Sequence, residues 1–241
     1  MKQVYLPDGS SMPQLGQGTW QMGEDDNKYE REITGLRHGI ELGMTLIDTA
    51  EMYADGKAEN IAGNAAKPFA RESLYICDKV YPKNADRKHI YSSVERSLKL
   101  LGTDYIDLYL LHWREDADLA EVAYCMEDLK DRGWIRRWGV SNFDVDDMED
   151  LWKVPDGNKC TVNQVLYNLG TRGIEYDLLD WQREKGVPFM AYSPVGQAGA
   201  LTTQDGGSKS VLMSDPHVKA VADRHGISFV QLLLAFVLRY D

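Results

Sequence analysis

Cysteine is scarce in this chain and long apolar runs are missing. Cys77, Cys125 and Cys160 are the only cysteines in 241 residues, and none has CxxC spacing. This excludes a disulfide framework and a cysteine-based zinc site, suits a reducing cytoplasm, and leaves each thiol a buried structural role. The longest strongly apolar segment, Phe229 to Leu238, is too short to span a bilayer and carries Gln231. The opening MKQVYLPDGSSMP has no apolar signal-peptide core. Positive charge is in deficit, 27 Lys and Arg against 38 Asp and Glu, for a formal net charge of −11. A chain without a basic face cannot displace phosphate counterions, so nucleic acid is not an expected partner. No membrane partner is expected either, and the chain is expected to be a cytoplasmic monomer acting on a small molecule.

What remains is an ordinary globular composition, 43% hydrophobic and 27% charged, long enough for one substantial core. A single domain over residues 1–241 is the expectation. The stretch QVYLPDGSSMPQLG reads as two short extended runs around Asp8-Gly9, a hairpin signal. Strand and helix signals then alternate. Ile33, Leu36 and Ile40 mark a helix from about Asp26 to Leu42, stopped by Gly43 and followed by a strand at Thr45–Thr49. Leu74–Val80 is the next strand, Ile90, Val94 and Leu98 share a helical face ending at Gly102, and Tyr105–His112 is a strand. The cycle continues with a helix at 118–132, strand 136–140, helix 144–152, strand 160–166, helix 174–185 and strand 187–193. Residues 196–214 are rich in Gly and Ser and read as a long loop before helices near 215–225 and 228–239.

Alternating strands and helices imply a buried parallel sheet, either open and doubly wound or closed into a barrel. An open dinucleotide-binding sheet should carry G-x-G-x-x-G at its first strand-to-helix turn. The only candidate, Gly16-Gln17-Gly18-Thr19-Trp20-Gln21, lacks the third glycine and opens no helix. Polar groups instead close almost every strand: Asp48, Lys79, His112, Ser141 with Asn142, Gln164, and Tyr192 with Ser193. In a barrel such ends converge on one mouth. The acidic run Asp144, Asp146, Asp147, Glu149 and Asp150 lacks the spacing and glycine of a calcium loop, reads as a solvated helix start, and leaves no metal site expected.

A lysine closing an apolar strand demands an anion and Asp48 demands a cation, so pairing Lys79 with Asp48 satisfies both. If Tyr53 shares the mouth, a lysine cation beside it favours phenolate and is expected to bring its pKa down from about 10 towards that of a general acid. His112 would then hydrogen-bond a substrate carbonyl oxygen that Tyr53 protonates. With no Ser-His-Asp spacing and no activated cysteine, hydride from a nicotinamide is the natural nucleophile. Asn142 and Gln164 are placed to hold its carboxamide and Tyr192 to stack on its ring. A lysine at a strand end also serves imine chemistry, so a Schiff-base aldolase using Lys79 is the rival enzyme reading.

The motifs GQGTW (16–20), LIDTAEMY (46–53), DKV (78–80), DLYLLHW (107–113), IRRWGVSN (135–142), NQVLYN (163–168) and MAYSP (190–194) resemble those of the aldo-keto reductase family in order and spacing. The resemblance implies an α/β (β/α)8 TIM barrel with an N-terminal β-hairpin cap. It implies NADPH-dependent carbonyl reduction, leaving NADH open, and a catalytic tetrad of Asp48, Tyr53, Lys79 and His112. Cofactor contacts would fall on Gly18, Thr19, Trp20, Ser141, Asn142, Gln164, Tyr192, Ser193, Pro194, Val195 and Gln197, and substrate-pocket walls on Trp20 and Trp113. AEMYADG and NQVLYNLGTRGIEYDLL look most like the bacterial branch that reduces methylglyoxal and similar small carbonyl compounds. The family also supplies nicotinamide-sensing channel subunits, the non-catalytic alternative. Loop 196–214 would either fold over the cofactor pyrophosphate, with Lys209 and glycine amides as anion donors, or stay a surface loop.

Two departures stand out. Asp78 occupies the position before the lysine where the family usually has Ser, and strand alternation turns its side chain towards the helical layer, where it must find a donor. The family also continues past the helix at 228–239 into an eighth strand, a Pro-Lys segment and a last helix. The expectation is therefore a C-terminally incomplete barrel, without that strand and helix.

Overall fold

The computed structural model describes residues 2–196, 212 and 215–240. The chain divides into two compact units, residues 1–163 with 186–188, and residues 164–185 with 189–241.

The first unit opens with the expected hairpin, β1 (Gln3–Tyr5) and β2 (Ser11–Pro13), antiparallel with Val4 opposite Met12. Gly9, at φ +81°, makes the turn. Asp8 in the same turn accepts from Arg137 Nε at 2.6 Å, which pins the hairpin beside the residue that leads into the strand at Trp138. Five parallel strands follow in chain order: β3 (Gly16–Gly18), β4 (Leu46–Asp48), β5 (Tyr75–Val80), β6 (Leu108–Leu111) and β7 (Trp138–Ser141). The failed dinucleotide fingerprint is thus the first parallel strand. Its Gly16 lies so close to β4 that a Cβ would meet Leu46 Cδ2 at 2.3 Å.

Helices α1 (Tyr29–Glu41), α2 (Lys57–Ala66), α3 (Ile90–Leu101), α4 (Leu119–Asp131) and α5 (Val145–Lys153) connect these strands. Ile33, Leu36 and Ile40 of α1 are buried as their spacing requires, and Gly102 ends α3 in a left-handed cap. The acidic run begins α5: Asp144 and Asp147 form a reciprocal capping box, while Arg114 binds Asp147 and Asp150. Sequence reading missed α2 altogether. Its inner face is Ala58, Ile61, Ala62 and Ala65, a helical repeat in which a single large apolar residue stands among alanines. Small size is what the position needs, because a Cβ on Gly63 would lie 2.6 Å from the carbonyl oxygen of Leu101 at the end of α3.

Both faces of the sheet are covered, so β5 and β6 are buried at every residue. Their pleat sorts the polar groups. Lys79 follows Cys77 on one face and pairs with Asp48, whereas Asp78 shares the other face with Tyr109. The strand β8 (Asn163–Leu166) has its first residue in the first unit and the rest in the second.

The second unit holds the rest of β8, its hydrogen-bonded neighbour β9 (Phe189–Tyr192), and helices α6 (Leu178–Lys185), α7 (Pro216–His225) and α8 (Phe229–Val237). Its packing centres on Tyr167, ringed by Phe189, Phe236 and Tyr240 and hydrogen-bonded to Glu175. Among the described residues no single helix is long and apolar enough to cross a membrane.

Candidate active site

Four side chains from the carboxyl ends of neighbouring strands converge in the first unit. Asp48 is the last residue of β4, Lys79 is the penultimate residue of β5, His112 follows β6, and Tyr53 lies in the turn after β4. Lys79 is completely buried. Its Nζ donates to Asp48 Oδ1 at 2.8 Å, to Asp48 Oδ2 at 2.7 Å and to the Thr49 carbonyl at 2.8 Å, so all three ammonium protons have acceptors. Burial opposes the charge, but Asp48 and Tyr53 outweigh it and hold Lys79 above the usual lysine range.

Tyr53 is half-buried with its ring centroid 5.2 Å from Lys79 Nζ and 5.7 Å from the His112 ring, which it meets edge-on at 73°. The Lys79 charge therefore acts on the phenol. Here one expectation is overturned. Lys79 does favour the phenolate, but burial disfavours it more and Asp48 adds to that, so the phenol titrates above its ordinary value rather than below. The sequence revealed the cation but not the depth of the ring.

His112 is buried, and burial followed by the Lys79 charge pushes its pKa down to about 3. It is a neutral imidazole at physiological pH. Trp113 stacks on it at 3.7 Å and 6°, and Tyr81 meets Trp113 edge-on at 6.1 Å. Trp113 thus covers one face of the imidazole, while Trp20 is half-exposed.

Ser141 ends β7 and Asn142 follows it, beside this group. The Asn142 amide donates to the His112 carbonyl at 3.1 Å and approaches Ser141 Oγ at 3.2 Å, from a backbone at φ +61°. A hydroxyl, an amide and a neutral imidazole side by side form a donor set that fits a nicotinamide carboxamide. Thr19, buried, binds the Asp48 carbonyl through both its N–H and its hydroxyl. Gly18 precedes it with no atom within 4 Å of a built Cβ.

The other expected cofactor residues lie in the second unit. Gln164 Nε2 approaches Met190 Sδ at 3.2 Å, Tyr192 is partly buried with its phenol pushed up by burial, and the Ser193 carbonyl accepts from Asn168. Pro194 and Val195 follow at the end of the described segment, whereas Gln197, Lys209 and most of loop 196–214 lie outside the described residues.

Sequence reading missed the supports of the site. Thr49 supplies the third acceptor of Lys79. Glu51, 5% exposed, accepts from the Tyr81 N–H at 2.6 Å and from Asn84 Nδ2 at 3.0 Å, fixing the turn that carries Tyr81. An acid three residues beyond Asp48 was the available signal. The donor sought for Asp78 is the adjacent backbone: its Oδ1 accepts from the Lys79 N–H at 2.8 Å.

The family model described as Aldo/keto reductase family matches residues 14–241. The chain is 49% identical over 240 residues to methylglyoxal reductase YeaE of Escherichia coli, covering 100% of this chain and 82% of that protein. It is 33% identical over 207 residues to aldo-keto reductase YhdN of Bacillus subtilis, covering 80% of this chain and 61% of that one. An aldo/keto reductase of Klebsiella pneumoniae, solved in complex with NADP and acetate, matches with a TM-score of 0.91 and 46% identity over 99% of this chain and 82% of its own. A second structure from that organism, in complex with NADPH, also gives a TM-score of 0.91. The fold class is accordingly the (β/α)8-type barrel with an N-terminal hairpin. The chain belongs to the aldo/keto reductase family and is an oxidoreductase of the class that uses nicotinamide cofactors.

Proposed function

We propose that this protein reduces the carbonyl group of small aldehydes and ketones such as methylglyoxal, with NADPH as reductant and Tyr53 as general acid. The observation that carries the reading is the Asp48–Lys79 ion pair held against the Tyr53 phenol. The cofactor, when bound, supplies hydride to the carbonyl carbon. Ser141 and Asn142 would hold its carboxamide. Tyr53 then gives its proton to the carbonyl oxygen as negative charge builds there. A developing alkoxide is more basic than even a buried phenolate, so a raised pKa keeps the proton in place without preventing its transfer. Lys79 lowers the cost of the phenolate left behind, and Asp48 keeps the lysine charged and aimed. His112, neutral by virtue of its depressed pKa, donates to the same oxygen without competing as a stronger acid.

Methylglyoxal is favoured as substrate by the 49% identity to a methylglyoxal reductase over the whole chain. The rival use of Lys79 as an imine-forming amine is disfavoured, because that chemistry needs a free lone pair and this ammonium gives all three protons to acceptors. Tyr53→Phe is expected to reduce methylglyoxal-dependent NADPH oxidation to background while NADPH binding, followed by fluorescence, changes little. Retained turnover would overturn the acid role.

A further inference from the structure

Behind the lysine, on the helix-facing side of β5, two carboxyl groups meet. Asp78 and Glu59 of α2 are each 0% exposed. Asp78 Oδ1 takes the Lys79 N–H, but Asp78 Oδ2 and both Glu59 oxygens receive no N–H or ammonium proton. Their polar surroundings are each other and two hydroxyls: Ser97 of α3, next to Glu59, and Tyr109 of β6, next to Asp78. Both hydroxyls are buried and otherwise unpartnered.

The charged groups facing this cluster leave the acids unneutralised. Lys79 spends its ammonium on Asp48 and Thr49, on the opposite face of the strand. Arg96 of α3 acts on Glu59 through space, yet its guanidinium is committed to the carbonyl and carboxylate of Asp55. Glu51 adds a third negative charge nearby. Two buried carboxylates side by side with no counter-cation repel strongly, and the cheapest remedy is a proton between them.

We propose that Asp78 and Glu59 share a single proton across a carboxyl–carboxylate hydrogen bond, and that this pair makes Asp78 a positioning residue for Lys79. The bond fastens α2 to β5, and the Asp78 oxygen on the Lys79 N–H fixes the peptide from which the lysine projects. Burial first moves both acids above the ordinary carboxyl range, with the like charge of Glu59 adding to it at Asp78 and that of Glu51 at Glu59, in keeping with a retained proton.

Infrared spectroscopy of the intact protein at neutral pH should show one buried, protonated carboxyl stretch, absent from both Asp78→Asn and Glu59→Gln. No such band in the wild type would overturn the proposal. A band surviving in either variant would assign the proton to one acid alone and overturn the sharing. A solution measurement of the wild type against Asp78→Asn gives a second test. The folded pair keeps a proton that the unfolded chain releases above about pH 4, so its contribution to stability is complete below that pH and declines roughly tenfold in the unfolding equilibrium per pH unit above it. Asp78→Asn should remove that decline, and equal slopes in the two proteins would refute the shared proton. The positioning role rests on the proposed function of Lys79 and has its own readout. Asp78→Ala should lower kcat about tenfold or more with little change in KM, and Asp78→Asn, which keeps an oxygen for the N–H, should recover most of it. Unchanged kcat in Asp78→Ala would sink the positioning role. The infrared result does not depend on turnover, so the two failures are distinguishable.

Discussion

Asp48 and Lys79 differ in how far each is withdrawn from water, and that asymmetry predicts which loss hurts more. The lysine side chain is 0% exposed and the aspartate 15%. Asp48→Ala strands a buried ammonium with one carbonyl for company, and should cost about 3–5 kcal/mol in urea unfolding. Lys79→Met leaves a carboxylate that reaches solvent, and should cost about 1–3 kcal/mol. The reverse order would mean that Asp48 is the more isolated charge. The pairing itself was readable from sequence, since a lysine and an aspartate at neighbouring apolar strand ends each need the other. The direction of the Tyr53 shift was not, because it turns on how deeply one ring is covered, a quantity that no residue type encodes.

The turn after β4 is the element on which the proposed acid depends. Ala54, Asp55 and Gly56 have consecutive positive φ of 47°, 52° and 86°, a costly run for two residues that carry a Cβ. Arg96 of α3 restrains it by donating to the Asp55 carbonyl at 2.7 Å and to its carboxylate at 3.1 Å. Arg96→Ala should therefore lower kcat about tenfold with unchanged circular dichroism, because Tyr53 begins this turn. Unchanged kcat would show that the turn holds without its clamp. Behind it, Gly63→Ala should destabilise by about 1–3 kcal/mol in thermal unfolding, since the added methyl would meet backbone carbonyls rather than a yielding side chain. Most helices were legible from large apolar residues at helical spacing. The exception, α2, is built from alanines and a buried glutamate because α3 lies against it too closely for anything larger.

For the molecule as a whole, pH sets two opposing slopes. His112, with an ordinary value of 6.5 and a folded value of about 3, binds fewer protons folded than unfolded between those limits. Its contribution is intact above about pH 6.5 and is lost towards pH 3, at about 1.4 kcal/mol per pH unit where the difference is complete. The proposed acid pair runs the other way from about pH 4 upward. Wild-type stability should thus be nearly flat between about pH 4 and 6.5. His112→Gln should make it fall with rising pH, a change read from urea midpoints, and an unaltered profile would contradict the depressed imidazole. The single-domain expectation has its own measurement: one calorimetric transition for one domain, two for separately folding units. By itself the sequence determined the strand-helix alternation, the hairpin, the family and the residues at the strand ends, because these follow from local periodicity and residue chemistry. Tertiary structure decided which charges share a face of β5, how completely each is dried, and therefore where each proton rests. Those outcomes depend on distances between segments remote in the chain, which no local pattern carries.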